Sequence, residues 1–417
     1  MFGASKHAVV GALVALVAGL TMAAAAAIAN DQLAAAKFTN APAMALPAYL
    51  QPATDPTFGV VFTRVTAPGE KTAGAPPCVG VYCTHRYSSA QAWNADQSLL
   101  VIVNGCGGMC FLDGLTFKYL YSRNTGDECE WHTTDATRMI CVSLREVYSW
   151  VPARNAKTVL YRAEGYSRLQ FGPYKGNLSF DSNRLVLRAM SASGAMVAFA
   201  YDLATKTKFP DIAVSELPGK NGYCSISPSG RYVFCPQTLW DGLETAYVFS
   251  VEGKQLQNWI EHHRPGHGDM TIDTDGHDVY VGISKAAPDK YHVIKRRLYD
   301  GAVTDLAPTG EVQHASTRSI KRPGWVYLSY AGTAAGVSKQ KAWAPFYQEV
   351  VALKIDGSGE LQRIAQTHNV PDNYWSETHA SPSPDGSMVI WSSNWGQVGG
   401  PVSDFVSRIP VGGTQVK

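Results

Sequence analysis

The feature that most restricts the fold is a short pattern that occurs seven times, a polar turn followed by an apolar, strand-like run. The turns lie about 40 to 47 residues apart until the last interval, which is longer by about 16. The seven copies are Trp93–Ile102, Thr134–Val142, Phe180–Leu187, Ser227–Phe234, Asp273–Val281, Lys321–Leu328 and Ser383–Trp391. The runs are short and rich in β-branched and aromatic residues, and the turns contain Pro-x-Gly, Asp-Gly or Asx sequences. This combination is typical of antiparallel hairpins.

A sheet built from such hairpins has two apolar faces and cannot bury both of them alone. Sheets packed radially around a channel bury both faces and leave only short edges. The repeats therefore predict an all-β fold, a single seven-bladed β-propeller of four-stranded antiparallel blades, with six or eight blades as the alternatives. Ring closure requires a strand from one terminus to complete a blade at the other, and we expect Phe58–Val65 to pair beside Phe405–Pro410.

The N-terminus carries the pattern of a secretory signal. Lys6 and His7 precede an apolar, Ala-rich run, Val9–Ala29, which ends in the small-x-small sequence of a signal-peptidase site. An uncleaved membrane anchor is the alternative. We therefore divide the chain into a signal peptide (1–29), an N-terminal segment (30–56) and the propeller (57–417), and we predict a secreted or periplasmic protein with no membrane contact beyond the signal segment.

The eight cysteines support export, because they fall into four close pairs, as expected for local disulfides in an oxidising compartment. The pairs are Cys78 with Cys83, Cys106 with Cys110, Cys129 with Cys141, and Cys224 with Cys235. The last two pairs each bracket a turn, as if they joined adjacent strands of a hairpin. Zinc is the alternative, but no Cys-x-x-Cys motif is present.

Charge argues against nucleic acid as a partner. The chain has 36 basic and 34 acidic side chains, a net charge of +2, and a charged fraction of only 17%. A duplex-binding protein normally carries a basic patch, whereas no basic run here exceeds Lys295–Arg297. No feature of the sequence indicates a dimer interface, so we expect a monomer.

Most of the 11 histidines lie just upstream of the repeated turns. The loops that lead into the innermost strands of a propeller meet at one end of the channel, so these side chains are expected to converge. His267, His314 and His379 begin three successive blades, and imidazoles from neighbouring blades can bind one divalent metal ion, with zinc, manganese or calcium as candidates. A ring of hydrogen-bonded histidines with water is the alternative.

A second group from the early blades combines arginine, histidine and tyrosine. Arginine and neutral histidine can hold a carboxylate through charge-assisted hydrogen bonds, and histidine and tyrosine are suitable bases and acids near neutral pH. The predicted catalytic residues are His85, His132, Tyr166 and Arg168. The predicted substrate-binding residues are Arg86, Tyr87, Trp131, Tyr174, Tyr223, His263, Arg264, Tyr374 and Trp375. Together they indicate an anionic, uronate-bearing ligand whose sugar rings stack on aromatic faces; the alternative is that many of these aromatic residues belong to the core.

At these residues the chain resembles a known family. Glu377–Gly396 is similar to the last blade of TolB-like propellers, including the oligogalacturonate, ulvan and rhamnose-glucuronate lyases, and His85–Tyr87, Trp93–Asp96 and Cys129–His132 support the resemblance. The resemblance implies that a metal ion or basic residues neutralise the uronate carboxylate while histidine or tyrosine removes the C5 proton. One departure is clear: the oligogalacturonate lyases have His-x-His where this chain has Glu377-Thr-His379.

The sequence thus predicts a polysaccharide lyase that cleaves an acidic polysaccharide or oligosaccharide by β-elimination. Arg86, Arg168 and a metal ion would stabilise the developing charge. His132 or His85 would be the base, and Tyr166 or Tyr87 the acid. The first alternative is a non-catalytic TolB-like propeller that binds protein or carbohydrate. The second is a glycoside hydrolase that uses carboxylates of the channel rim.

Overall fold

The structure is a computed structural model that describes residues 31–171, 176–219, 222–238, 243–262, 267–284, 292–308, 312–332 and 345–409. The predicted signal peptide lies outside these ranges. Helical structure within them consists of short 3-10 turns at Leu33–Ala35, Pro152–Arg154, Val214–Glu216 and Tyr374–Ser376. No helix in the described part of the chain is long and apolar enough to cross a membrane.

Seven antiparallel sheets follow one another along the chain, which confirms the predicted seven-bladed β-propeller. Four strands precede the first blade: β1 (Asp31–Gln32), β2 (Pro52–Thr54), β3 (Val61–Arg64) and β4 (Tyr82–Cys83). Blade 1 comprises β5 (Leu99–Ile102), β6 (Met109–Asp113) and β7 (Tyr119–Arg123). Blade 2 comprises β8 (Glu128–Trp131), β9 (Met139–Val142), β10 (Glu146–Val151) and β11 (Ala156–Arg162). Blade 3 comprises β12 (Tyr166–Gln170), β13 (Arg184–Ser191), β14 (Met196–Asp202) and β15 (Thr207–Lys208).

The later blades repeat this order. Blades 4 and 5 comprise β16 (Ser225–Ile226), β17 (Tyr232–Thr238), β18 (Leu243–Ser250) and β19 (Gln255–His262); and β20 (Asp269–Ile272), β21 (Asp278–Ser284), β22 (His292–Arg297) and β23 (Val303–Pro308). Blades 6 and 7 comprise β24 (Val312–Ser316), β25 (Trp325–Tyr330), β26 (Glu349–Lys354) and β27 (Glu360–Gln366); and β28 (Ser381–Pro382), β29 (Met388–Ser393) and β30 (Val402–Arg408). In blade 1 a bridge between Trp93 and Leu100 takes the place of the first strand.

The strands that precede blade 1 complete the last two blades. β3 pairs antiparallel with β30, with Thr63 opposite Val406, which confirms the predicted ring closure within the described residues. β2 extends the same sheet beyond β3, and β4 pairs in parallel with the start of β30. β1 pairs with β27 and so adds a strand to blade 6. The outer strands β27 of blade 6 and β30 of blade 7 are therefore paired on both sides and are not edge strands.

The core lies between neighbouring blades, because successive residues of a strand face opposite sides of the sheet. In β13, Leu187 packs toward blade 2 and Val186 toward blade 4. Large aromatic side chains fill the seam where the ring closes, and the rings of Trp391 and Phe405 stack with centroids 4.6 Å apart. Both faces of each blade are therefore buried, which explains the low charged fraction of the chain.

The four predicted disulfides are all present, and the described chain has no free cysteine. Cys129–Cys141 joins β8 to β9, and Cys224–Cys235 joins the residue before β16 to β17. The prediction that these two pairs join adjacent strands of a hairpin is confirmed.

The first strand of each blade connects two different ends of the channel. We call the end at which the chain enters the first strands the loop end, and the end at which each first strand turns back into the second the turn end. At the turn end, a side chain that begins the turn accepts a hydrogen bond from the backbone five residues later; the acceptors are Asn94, Ser179, Ser227 and Ser383. The repeated turns of the sequence all lie at this end.

Candidate functional site

At the loop end, aromatic side chains from blades 1, 5, 6 and 7 meet. The ring of His314 lies 4.2 Å from that of His379 and 4.6 Å from that of His267, measured between centroids. Tyr87 approaches the His379 ring at 4.9 Å and the His314 ring at 5.1 Å, and Tyr374 lies 5.3 Å from His379. The predicted convergence of the three blade-leading histidines is thus seen in the structure.

Three of the side chains at this end could hold a metal ion. His314, Glu377 and His379 each offer one ligand atom, and these atoms lie within 4.8 Å of one another. Glu377 Oε2 is 2.7 Å from His314 Nε2 and 3.9 Å from His379 Nε2. We call these residues the His-Glu-His group. His314 and His379 were predicted as ligands, whereas Glu377 was not.

The residues of the His-Glu-His group fit a divalent ion. Two imidazoles and a carboxylate form a donor set that zinc, manganese and iron accept. His379 is 7% exposed, and its buried Nδ1 has no hydrogen-bond partner among the described residues. A buried nitrogen without a partner is uncommon in folded proteins and often marks an ion or water that belongs there.

His267, the third predicted ligand, lies beside this group. Its ring stacks on that of His314 with an interplanar angle of 20°. Its Nδ1 is 2.5 Å from the carbonyl oxygen of Gln313, and a carbonyl can only accept a hydrogen bond. Nδ1 therefore carries the proton, and Nε2 is the basic atom of the neutral ring.

A buried ion pair lies directly behind His379. The backbone of His379 has a left-handed conformation, with φ of +47°, which is uncommon outside glycine. Its carbonyl oxygen lies 2.7 Å from His85 Nε2, and His85 Nδ1 lies 3.0 Å from Asp404 Oδ1. Ser392 donates a further hydrogen bond to Asp404. The left-handed backbone of His379 is thus held by His85, which leads into blade 1, and by Asp404 of blade 7.

The contacts of His85 argue against its predicted role as a base. Both of its ring nitrogens face acceptors, the Asp404 carboxylate and the His379 carbonyl, so the ring satisfies both only as an imidazolium. Burial alone would lower the pKa of His85, but Asp404 and the His379 carbonyl raise it above its usual value of 6.5. His85 is 2% exposed and has no open side toward the channel. It positions His379 instead.

His132, the other predicted base, lies at the turn end. Its Nδ1 accepts hydrogen bonds from the backbone N–H of Asp135 at 3.1 Å and of Thr134 at 3.4 Å. It therefore accepts backbone hydrogen bonds within its own turn, as serine or asparagine does in other blades, but from residues two and three positions later instead of five. Burial lowers its pKa, which keeps the ring neutral and suited to accepting. The prediction that His132 lies on one rim with His379 was wrong, because His132 follows its first strand rather than preceding it.

Two predicted substrate-binding residues lie between blades 1 and 2, where Arg86 is half-buried and Trp131 is buried. Arg86 forms an ion pair with Glu130 and donates a hydrogen bond to the Cys129 carbonyl. Burial lowers the pKa of Arg86 to about 10. Trp131 is 3% exposed and packs edge-on against Phe111. Arg86 already has a carboxylate partner and Trp131 belongs to the core, which argues against the predicted substrate contacts of both.

The other predicted residues of the early and middle blades lie away from the His-Glu-His group or outside the described residues. Tyr166 packs against Phe199 in blade 3 and donates a hydrogen bond to Asp211. Burial and this hydrogen bond raise the pKa of Tyr166. Arg168 is exposed on the same strand. Tyr223 lies at the loop end of blade 4, where its ring is 6.3 Å from that of Phe234. Outside the described residues lie Tyr174, His263 and Arg264.

Tyr374 and Trp375 are exposed next to the His-Glu-His group. They lie on the 3-10 turn that Asn373 caps, and their exposed fractions are 45% and 47%. Trp375 also lies 6.1 Å from the ring of Tyr82. Large aromatic rings that remain exposed beside a polar group can stack against sugars.

The metal ligands predicted from the sequence did not include Glu377, and Asp404 was not predicted at all. Glu377 carried a signal, because it stands two residues before His379 where the resembling lyases have the first histidine of a pair. Asp404 carried none, because 319 residues separate it from His85 and its partner becomes apparent only when the ring closes.

Comparison with known proteins gives similarity in fold. No family model matches the chain, and no curated protein has a matching sequence. A solved structure of oligogalacturonate lyase in complex with manganese aligns with a TM-score of 0.59 at 15% identity, over 87% of this chain and 96% of that chain. Oligogalacturonate lyase from Vibrio parahaemolyticus aligns with a TM-score of 0.54 at 11% identity, over 87% of this chain and 97% of that chain.

TolB from Acinetobacter baumannii also matches, at 17% identity over 67% of this chain and 62% of that chain, but a TM-score of 0.36 is too low to support an argument. The fold-level resemblance to oligogalacturonate lyase is confirmed by the first two structures. The chain is a seven-bladed β-propeller whose fold is similar to that of oligogalacturonate lyase.

Proposed function

We propose that this protein is a secreted or periplasmic lyase that cleaves a uronate-containing polysaccharide by β-elimination, with a divalent metal ion bound at the His-Glu-His group. The observation that carries the proposal is this group at the loop end of the channel, with a third imidazole of defined tautomer stacked on it. The manganese complex of oligogalacturonate lyase, a protein of similar fold, supports a metal ion.

The reaction requires a base and stabilisation of negative charge. The base removes the proton from C5 of the uronate, the C5 electron pair forms the C4–C5 double bond, and the C4–O bond breaks as its oxygen takes up a proton. Negative charge develops on the carboxylate as the C5 proton leaves, and preorganised positive charge lowers the barrier most at that point. A divalent ion held by His314, Glu377 and His379 would supply this charge.

His267 is our candidate for the base. The Gln313 carbonyl holds the proton on Nδ1, so Nε2 keeps its lone pair, and a neutral imidazole is well suited to removing a proton near neutral pH. His267 takes this role in place of His85, whose nitrogens are both engaged, and of His132, which lies at the turn end. Its stacking on His314, a proposed metal ligand, supports this role.

Aromatic side chains would bind the sugar. Tyr374 and Trp375 present exposed faces for stacking next to the His-Glu-His group, and their ring planes are nearly perpendicular, at 84°. Tyr87, which was predicted to bind substrate or act as acid, is only 5% exposed and packs against the rings of His314 and His379. Tyr87 therefore packs against the rings of two proposed metal ligands.

The test is to incubate the mature protein with pectate, alginate, ulvan and glucuronan, and to follow the ultraviolet absorbance of the C4–C5 double bond. We expect a rise on at least one polymer, its loss with a chelator, and its loss in His267→Ala. His277→Ala is the matched control, since His277 belongs to a hairpin turn of blade 5 and pairs with Asp275. Saturated products would indicate hydrolysis instead, and binding without any cleavage would indicate a carbohydrate-binding propeller.

A further inference from the structure

An unusual arginine lies at the loop end of the seam between blades 3 and 4. Arg188 is on β13 and faces blade 4, because Val186, two residues earlier, packs into the core shared by these blades. It is half-buried, and it donates one hydrogen bond from Nη1 to the carbonyl oxygen of Gly222. Its Nε is buried and has no acceptor among the described residues.

Arg188 has no carboxylate partner among the described residues, unlike several other buried or half-buried arginines. Arg86, Arg184 and Arg318 each pair with an aspartate or glutamate, whereas no ion pair of Arg188 exists within the described residues. Burial lowers the pKa of Arg188, as expected for a cation removed from water without an anion beside it. A buried charge without a partner destabilises a protein unless something else compensates for it.

A second buried donor lies close to this arginine. Gln237 is on β17 and also faces the seam, because Val233 and Cys235 on the same strand pack there. It is 4% exposed, and its Nε2 has no acceptor among the described residues. Gly222 lies next to both side chains. Its carbonyl oxygen accepts the hydrogen bond from Arg188, and its Cα is so close to Gln237 that an added Cβ would overlap the Gln237 side chain.

We propose that Arg188 and Gln237 form a binding subsite for a uronate carboxylate of the substrate. Each offers a buried N–H that has no acceptor among the described residues, and a carboxylate can accept from both while neutralising the guanidinium. The proposal rests on the proposed function for the class of substrate, an acidic polysaccharide. It assigns the carboxylate recognition that had been predicted for Arg86 to a different arginine, on the side of the channel formed by blades 3 and 4.

Binding measured without turnover tests the subsite separately from catalysis. The mature protein, with metal removed by a chelator, is titrated calorimetrically with trimers of galacturonate, glucuronate and guluronate, and with the same trimers methyl-esterified. We expect at least one acid to bind about 10- to 100-fold more tightly than its ester, because a hydrogen bond to a charged group has about that effect. Arg188→Gln should remove this preference and leave binding of the ester unchanged.

Two further variants keep the result interpretable. Arg162→Gln is the matched control, since Arg162 is exposed on the outer strand of blade 2 and pairs with Glu146; it should keep the preference for the acid. Gln237→Glu places an internal carboxylate beside Arg188, so it should keep the protein folded and lower the affinity for the acid about 10- to 100-fold. This variant decides the matter if Arg188→Gln fails to fold.

The proposal is overturned if wild-type protein binds every acid and its ester equally, or if folded Arg188→Gln or Gln237→Glu keeps the full preference. Acid-dependent binding through Arg188 without any double-bond product would support the subsite and contradict the lyase. Double-bond formation that is unaffected by Arg188→Gln would support the lyase and contradict the subsite.

Discussion

Histidines occur at both ends of the channel, and their surroundings differ. At the loop end, the rings of His267, His314 and His379 contact one another, and the Nε2 atoms of His314 and His379 lie near the Glu377 carboxylate. At the turn end, His132 uses its nitrogen to accept backbone N–H groups of its own turn. Position upstream of a repeated turn is therefore an incomplete guide to function, because the first strand separates two different environments.

The largest expected effect concerns the ion pair behind the loop-end histidines. Asp404→Ala leaves the His85 imidazolium buried without its counter-ion, and we expect a loss of about 3–5 kcal/mol in the free energy of unfolding. Urea denaturation followed by tryptophan fluorescence measures it. Arg162→Gln, which removes an exposed ion pair, should change stability by less than about 1 kcal/mol. Equal effects would contradict the special role given to the buried pair.

The same pair predicts a dependence on pH. The pKa of His85 is raised above 6.5 in the folded protein, so the folded state binds this proton more tightly than the unfolded state does. Its contribution to stability is fully present below pH 6.5 and is lost as the pH rises through the raised pKa. Urea denaturation at a series of pH values should show this loss, and His85→Gln should flatten it. An unchanged profile in His85→Gln would show that other groups cause the dependence.

The next effect concerns metal binding. His379→Ala should lower the affinity for Mn²⁺ or Zn²⁺ by more than about 100-fold, since even partners of metal ligands contribute about 10- to 100-fold. Elemental analysis and competition with a fluorescent indicator measure it. His132→Ala should bind metal like the wild type, and Glu377→His, which restores the His-x-His pair of the resembling lyases, should keep binding. Equal losses in His132→Ala and His379→Ala would remove the distinction between the two ends.

The smallest effect concerns the turn end. His132→Ala leaves two backbone N–H groups without their acceptor and should lower stability by about 1 kcal/mol. His132→Asn should lose less, because an asparagine side-chain oxygen can also accept a hydrogen bond from the backbone N–H two residues later. Thermal unfolding of the three proteins tests the ranking. If His132→Asn loses as much as His132→Ala, the ring of His132 has a role beyond its turn.

The repeating features of this molecule could be predicted from the sequence, because local physics determines them. Turn chemistry and strand periodicity were enough to place the blades, and the closing pair of β3 with β30 followed from the geometry of a ring. Cysteine spacing identified all four disulfides. His314 and His379 were found because each begins a blade at the same end.

The pairings between blades could not be predicted in this way. Arg86 looked available for a ligand because nothing in its neighbourhood in the sequence shows that Glu130 neutralises it. His132 was placed at the wrong end because its position depends on the few residues of β8 that come before it. Arg188 was not considered, because nothing in the sequence shows that an arginine within a strand has no carboxylate partner among the residues that the structure describes.

The closure of the ring also imposes an order on biosynthesis. β3 is translated before every blade, yet its partner β30 is translated after all the others, so a long stretch of nascent chain separates the two. Glu377 and His379 belong to the blade that this late pairing completes, and contacts between such distant segments form slowly. A ribosome that stalls before β30 would therefore release a chain with most of its blades but without the surroundings that hold His379, including Asp404.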